Sequence, residues 1–106
     1  NTKRIVVSIQ NNGTLDFLRP DDVIEISCDL SRDGLKPVTP VKVPTAQKNM
    51  IACVKEYERL AVAAILQQDK SLAVRALMAH PLIGSYSLAK TLVEAYLDDE
   101  QFAAWR

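Results

Sequence analysis

The sequence predicts an α+β chain, with antiparallel strands first and helices after. Three observations carry this reading. Apolar, β-branched runs near the amino terminus have the period of strands. From Thr45 onward, apolar residues return every three or four positions, as on one face of a helix. Between the two lies a stretch punctuated by Gly34, Pro37, Pro40 and Pro44, which suits turns and edge backbone.

The first strand is expected at about 4–9, Arg-Ile-Val-Val-Ser-Ile. The second, at about 22–29, alternates: Val23, Glu25 and Ser27 fall on one face, Ile24, Ile26 and Cys28 on the other. Asp33-Gly34 signals a turn, and 35–43 is a candidate third extended segment. Two strands alone are marginal in water and leave unpaired edges. Cover is therefore expected from the helices, from 35–43 or from a partner chain.

A first helix is expected over about 45–67, with Thr45 as its N-cap. Ala46, Met50, Cys53/Val54, Tyr57, Leu60/Ala61 and Ala64/Ile65 form its stripe, while Lys48, Lys55, Glu56, Glu58 and Arg59 face away. Its second half is apolar all round, which predicts burial on more than one side. Asp69 is placed to cap a second helix, about 70–79, which Pro81 and Gly84 end. Ser85 or Ser87 caps a third, about 86–104, interrupted at Asp98-Asp99-Glu100, with Phe102 and Trp105 packing the tail. The 106 residues fit a single domain.

Lys plus Arg equals Asp plus Glu, 13 each, so no field of one sign exists to draw nucleic acid or an anionic membrane. The longest apolar run, residues 60–66, is far short of the ~20 residues of a membrane helix. Cys28 and Cys53 are far apart with no CxxC spacing; one disulfide is conceivable, but two free, buried thiols are the better reading. The chain opens on Asn1 and not on methionine, so a fragment of a longer protein is expected.

Taken singly, few residues suggest chemistry. His80, before Pro81, reads as a helix C-terminal residue rather than a catalytic one. Asp98, Asp99 and Glu100 are consecutive and read as a solvated run. Glu25 is either a buried acid or one half of a cross-strand ion pair. Tyr57 lies on the apolar stripe, and Arg19 reads as a surface residue more readily than as a phosphate ligand. Three glycines, at 13, 34 and 84, cannot make a glycine-rich phosphate loop. The exception is Asn11-Asn12-Gly13. It reads equally as a turn or as a pocket wall, because the following Thr14–Asp21 carries its own apolar anchors, Leu15, Phe17 and Leu18.

At these residues the chain resembles a known family. Val7-Ser-Ile-Gln-Asn11-Asn12-Gly13-Thr-Leu15-Asp-Phe-Leu18, then Asp22-Val-Ile-Glu25-Ile, resembles a pattern near the carboxy terminus of the NAD- and metal-dependent family 4 glycoside hydrolases, V-N-V-P-N-x-G-x-I-x-x-L-P then V-V-E-V-P. Val54-Lys55-Glu56-Tyr57-Glu58-Arg59-Leu60 is similar to the V-K-x-Y-E-x-L of its 6-phospho-β-glucosidase branch. Ala73-x-x-Ala76-Leu77-x-x-His80-Pro81-Leu82 resembles the segment that follows. Gln10, Arg19 and Ser27 stand where that pattern has proline.

The resemblance implies the carboxy-terminal part of a cytoplasmic enzyme acting on 6-phospho-β-glucosides. In that family NAD+ abstracts hydride, a divalent metal, typically manganese, acidifies the neighbouring proton, and the aglycone leaves by elimination; such enzymes depart from the two-carboxylate scheme. The family's nucleotide loop, metal ligands and catalytic tyrosine precede the matching segment. The resemblance therefore assigns no catalytic, cofactor-binding or metal-binding residue here, and expects the isolated chain to be inactive. It places Asn11 and Gly13 near the sugar or at a subunit contact, and implies as partners the rest of the enzyme and further copies of it. The alternatives are a free-standing dimerisation module and a sister enzyme acting on α-glycosides or uronides.

Overall fold

The computed structural model describes residues 1–106 and groups them into two compact units, Asn1–Lys48 and Asn49–Arg106. The first unit holds an antiparallel sheet of three strands in the order β1-β2-β3: β1 Lys3–Gln10, β2 Val23–Ser31 and β3 Gly34–Pro37. The second is helical. It contains α1 Thr45–Gln67, whose first turn lies in the preceding unit, then α2 Lys70–Ala79, α3 Tyr86–Tyr96 and a 3-10 turn at Glu100–Phe102.

The β1–β2 register explains the alternation in the sequence. Ile5 pairs with Cys28, Val7 with Ile26 and Ile9 with Ile24, so one face is apolar, with Ile24 and Cys28 buried. The other face pairs Ser8 with Glu25, Val6 with Ser27 and Arg4 with Asp29. Glu25 is exposed there and is not a buried acid; the cross-strand ion pair is Arg4–Asp29, with Arg4 Nε 3.0 Å from Asp29 Oδ1. β2 and β3 meet through the two-residue turn Arg32-Asp33, and Gly34 takes φ +104°, which strains any residue with a Cβ.

The third strand is shorter than the expected 35–43 and stops at Pro37. Pro37 lacks an N–H, and after Val38 N–H bonds Ser27 C=O at 2.9 Å the chain leaves the ladder towards Pro40. The Thr39–Pro40 peptide bond is cis.

α1 begins at Thr45 itself. The carbonyl of Pro44 accepts from Lys48 N–H, so Thr45 stands inside the first turn and not at the cap. Its outer face carries the ion pairs Lys55–Glu58 and Glu56–Arg59 at i, i+3 spacing, each a contribution of a few tenths of a kcal/mol. The lysine and arginine stems are largely covered while the carboxylates are in water, so the expected outward orientation holds for the acids and only in part for the bases. The expected burial of the second half is reversed in this chain: Ala64 is buried, but Val62, Ile65 and Leu66 are 55%, 62% and 79% exposed. Cys28 is buried and Cys53 exposed, both as free thiols, which corrects the expectation of two buried ones.

Asp69 caps α2, its Oδ1 accepting from Leu72 N–H at 3.2 Å. Ser85 caps α3 through Leu88 N–H. α3 ends at Tyr96, short of the expected 104. Asp99 adopts extended backbone and its carboxylate accepts from Gln101 N–H, so the acidic run starts a new turn rather than continuing the helix. The tail then folds back. Arg106 N–H donates to Gln68 C=O at 2.9 Å and Lys70 N–H donates to Arg106 C=O at 2.7 Å, while Phe102 and Trp105 meet edge to face.

Two predictions follow from these caps and pairs. Asp69→Ala should lower unfolding stability by about 1 kcal/mol, read from urea denaturation, because Leu72 N–H loses its acceptor. The hydrogen bond from Arg4 holds the Asp29 carboxyl below its ordinary range. Its small stabilisation is therefore present at neutral pH and lost as pH falls through the folded-state pKa. Asp29→Asn should remove that component from the acid limb of the stability profile, measured by thermal unfolding in low salt.

Candidate functional site

The twelve residues from Asn11 to Asp22 form a closed loop whose ends meet, since Asn11 N–H donates to Asp22 C=O at 2.7 Å. Asn11 is fully buried and its carboxamide organises the interior. Oδ1 accepts from Leu15 N–H at 2.8 Å; Nδ2 donates to Leu15 C=O at 2.9 Å and to Arg19 C=O at 3.0 Å. Only a side chain with an acceptor and two donors can serve these three backbone groups together. Asn12 N–H bonds Pro20 C=O, and Asp22, also buried, accepts Arg19 N–H at Oδ2, 2.9 Å. Leu18 is the buried apolar anchor.

Within this loop, Asn12 and Gly13 turn the chain, with φ +46° and +83°, and Thr14 N–H closes onto Asn11 C=O at 2.9 Å. Both positive φ values suit an Asn-Gly pair. The motif is thus a tight turn built into a larger loop, so the turn reading holds. The wall is supplied by the residues that follow it.

Thr14 to Phe17 line an open groove of about 500 Å³ whose opposite side is Thr39 to Val43. The Lys48 ammonium reaches it from α1 and lies 5.6 Å from the Phe17 ring centroid, a cation–π contact. The groove thus offers the hydroxyls of Thr14 and Thr39, the Asp16 carboxylate, the ammonium groups of Lys42 and Lys48, and one aromatic ring. Such a set can bind a hydroxyl-rich molecule with a negative group, since two cations face one carboxylate. Neither Asn11 nor Gly13 lines it; they fix its wall from behind.

The other residues singled out in the sequence are scattered. Arg19 is exposed and outside the groove. His80 is the C-cap of α2; its Nδ1 accepts from Leu82 N–H at 3.1 Å and its ring stands edge-on to Tyr57 with centroids 4.8 Å apart. Sequence reasoning missed Lys48, which it turned outward, and the 39–43 segment, which it made a strand. The loop closure by Asp22 had a signal, an Asp two residues after Pro20 at the loop end.

The family model described as the family 4 glycosyl hydrolase C-terminal domain matches residues 1–83. The chain belongs to this family. It is 36% identical over 93 residues to the 6-phospho-beta-glucosidase BglT of Thermotoga maritima, covering 88% of this chain and 22% of that protein. It is 26% identical over 99 residues to the phospho-alpha-glucosidase PagL of Clostridium acetobutylicum, covering 92% of this chain and 22% of that one. The solved Thermotoga maritima 6-phospho-beta glucosidase with manganese, NAD+ and glucose-6-phosphate superposes with a TM-score of 0.79 at 34% identity, over 94% of this chain and 25% of that chain. The chain thus spans about a fifth of the length of the curated relatives it matches.

The residues present here do not fit a metal. No three His, Cys, Asp or Glu side chains stand together as a metal site. Cys28 is buried and His80 Nδ1 already accepts a hydrogen bond. No helix is long and apolar enough to cross a membrane.

Asn11→Ala should cost about 2–4 kcal/mol in urea denaturation, because Leu15 and Arg19 backbone groups lose their partners inside the loop. Gly13→Ala should cost about 1 kcal/mol, from φ alone, since no atom lies within 4 Å of an added Cβ.

Proposed function

We propose that this chain is the carboxy-terminal part of a 6-phospho-β-glucosidase that cleaves 6-phospho-β-glucosides by an NAD- and metal-dependent redox and elimination route. The observation that carries the reading is the 36% identity to the Thermotoga maritima 6-phospho-beta-glucosidase, against 26% to the phospho-alpha-glucosidase. NAD and a divalent metal, manganese, are held by the remainder of the parent enzyme. The parent works in the cytoplasm, where sugars phosphorylated during uptake arrive.

In that enzyme the chain forms one carboxy-terminal substrate and oligomerisation domain. Its part is structural: it contributes no reacting group and presents the loop groove beside the sugar. Asn11 and Gly13 act there through the shape of the wall, and the exposed hydroxyls and ammonium groups of the groove face the phosphorylated sugar. The exposed Val62, Ile65 and Leu66 are the surface that the rest of the enzyme or another copy covers. A free-standing dimerisation module would show the same surface, but it would not account for the family match over residues 1–83.

The parent enzyme, with NAD+ and manganese, should turn over a 4-nitrophenyl 6-phospho-β-glucoside and leave the matched α-glucoside uncleaved. The opposite preference would overturn the β reading, and turnover of neither would overturn the hydrolase reading. The 106-residue chain alone should cleave neither. In sedimentation velocity it should self-associate with rising concentration, and Ile65→Glu with Leu66→Glu should abolish that. A wild-type chain that stays monomeric would contradict the covered surface.

A further inference from the structure

A second cavity lies wholly within the helical unit. α2 and α3 are joined by residues 80–85, a connection of the length that links antiparallel neighbours. Between them runs a valley of about 310 Å³, at the lower end of the ~300–1,000 Å³ of small-molecule sites. Its lining residues recur at i, i+3 and i+4 along both helices, so it is the seam of the hairpin.

The floor is apolar. Val74 and Val93 lie there, with Met78 and Tyr86 at the hairpin end; Val93 is buried, while Met78 and Tyr86 are 41% and 58% exposed. The rim is charged. It carries Lys70, Arg75 and Lys90 against one carboxylate, Glu94, which stands one turn from Lys90 on α3. Arg75 and Lys90 stand midway along the valley, and three cations against one carboxylate leave its rim with an excess of two positive charges. The ion pairs of this molecule fall elsewhere, at Arg4–Asp29, Lys55–Glu58 and Arg59–Glu56. An excess of two positive charges matches one dianion, and a phosphate monoester carries about −1.5 to −2 at neutral pH. Arg75 adds a planar fork that can hold two of its oxygens. The apolar floor next to these cations rewards a ligand with an aromatic or alkyl body, and Tyr86 offers a ring for it to stack on.

We propose that the α2–α3 valley binds a small organic phosphate, its head between Arg75 and Lys90 and its apolar body over Val74, Met78 and Tyr86. This site is separate from the loop groove, and its residues have no part in the loop. Titrating the isotope-labelled 106-residue chain with phenyl phosphate tests it by amide chemical shifts. Saturable shifts confined to residues 70–78 and 86–94 are expected, with inorganic phosphate and phenol each binding at least about tenfold more weakly, a difference of 1.4 kcal/mol or more. Arg75→Gln with Lys90→Gln should weaken phenyl phosphate by at least as much; Tyr86→Ala supplies the same readout if that pair fails to fold. Absence of saturation, equal affinity for inorganic phosphate, saturable shifts at residues 14–17 and 39–43 instead, or an affinity that neither variant changes would each overturn the assignment.

Discussion

The Asn11 carboxamide is the constraint on which the shape of the first unit rests. A loop of twelve residues between two paired strands must satisfy its own backbone without a ladder. One buried side chain does this by serving Leu15 from both sides and Arg19 from one, while its own N–H closes the neck onto Asp22. With the interior fixed, the outward residues Thr14 to Phe17 have one orientation, and a groove forms against Thr39 to Val43. The turn at Asn12-Gly13 only reverses the chain; the carboxamide turns that reversal into a wall.

The match to the family 4 glycosyl hydrolase C-terminal domain, residues 1–83, includes the whole of this loop. The loop and the helix caps are determined locally, the caps by groups three residues apart and the loop by groups within its own twelve residues. Each requires a particular donor or acceptor and not a particular volume. What the chain lacks, a metal-binding cluster and a nucleotide loop, no local rearrangement of its residues would supply.

Much of the fold was legible from residues 1–106 alone. The alternation of Ile24, Ile26 and Cys28 gave the face of β2, and Asp69 and Ser85 marked two helix starts, because period and capping are short-range signals. The end of β3 at Pro37 and of α3 at Tyr96 were overrun, since Pro37 and Asp99 act through hydrogen bonds they withhold or redirect. The groove was the least legible part. Asn11 and Gly13 drew attention as motif residues, yet the lining comes from Lys48 and from 39–43, far along the chain, and nothing in periodicity brings them to Phe17. The exposure of Leu66 likewise depends on what stands beside α1, which an apolar pattern cannot state.

Amide hydrogen exchange across Asn11–Asp22 tests the central claim most directly. If the buried carboxamide holds the loop, Leu15, Asn12 and Arg19 N–H should exchange as slowly as the paired amides of β2, although none belongs to a strand. Exchange of Leu15 N–H at the rate of an unprotected peptide would show a mobile loop and no fixed wall, and would contradict the account.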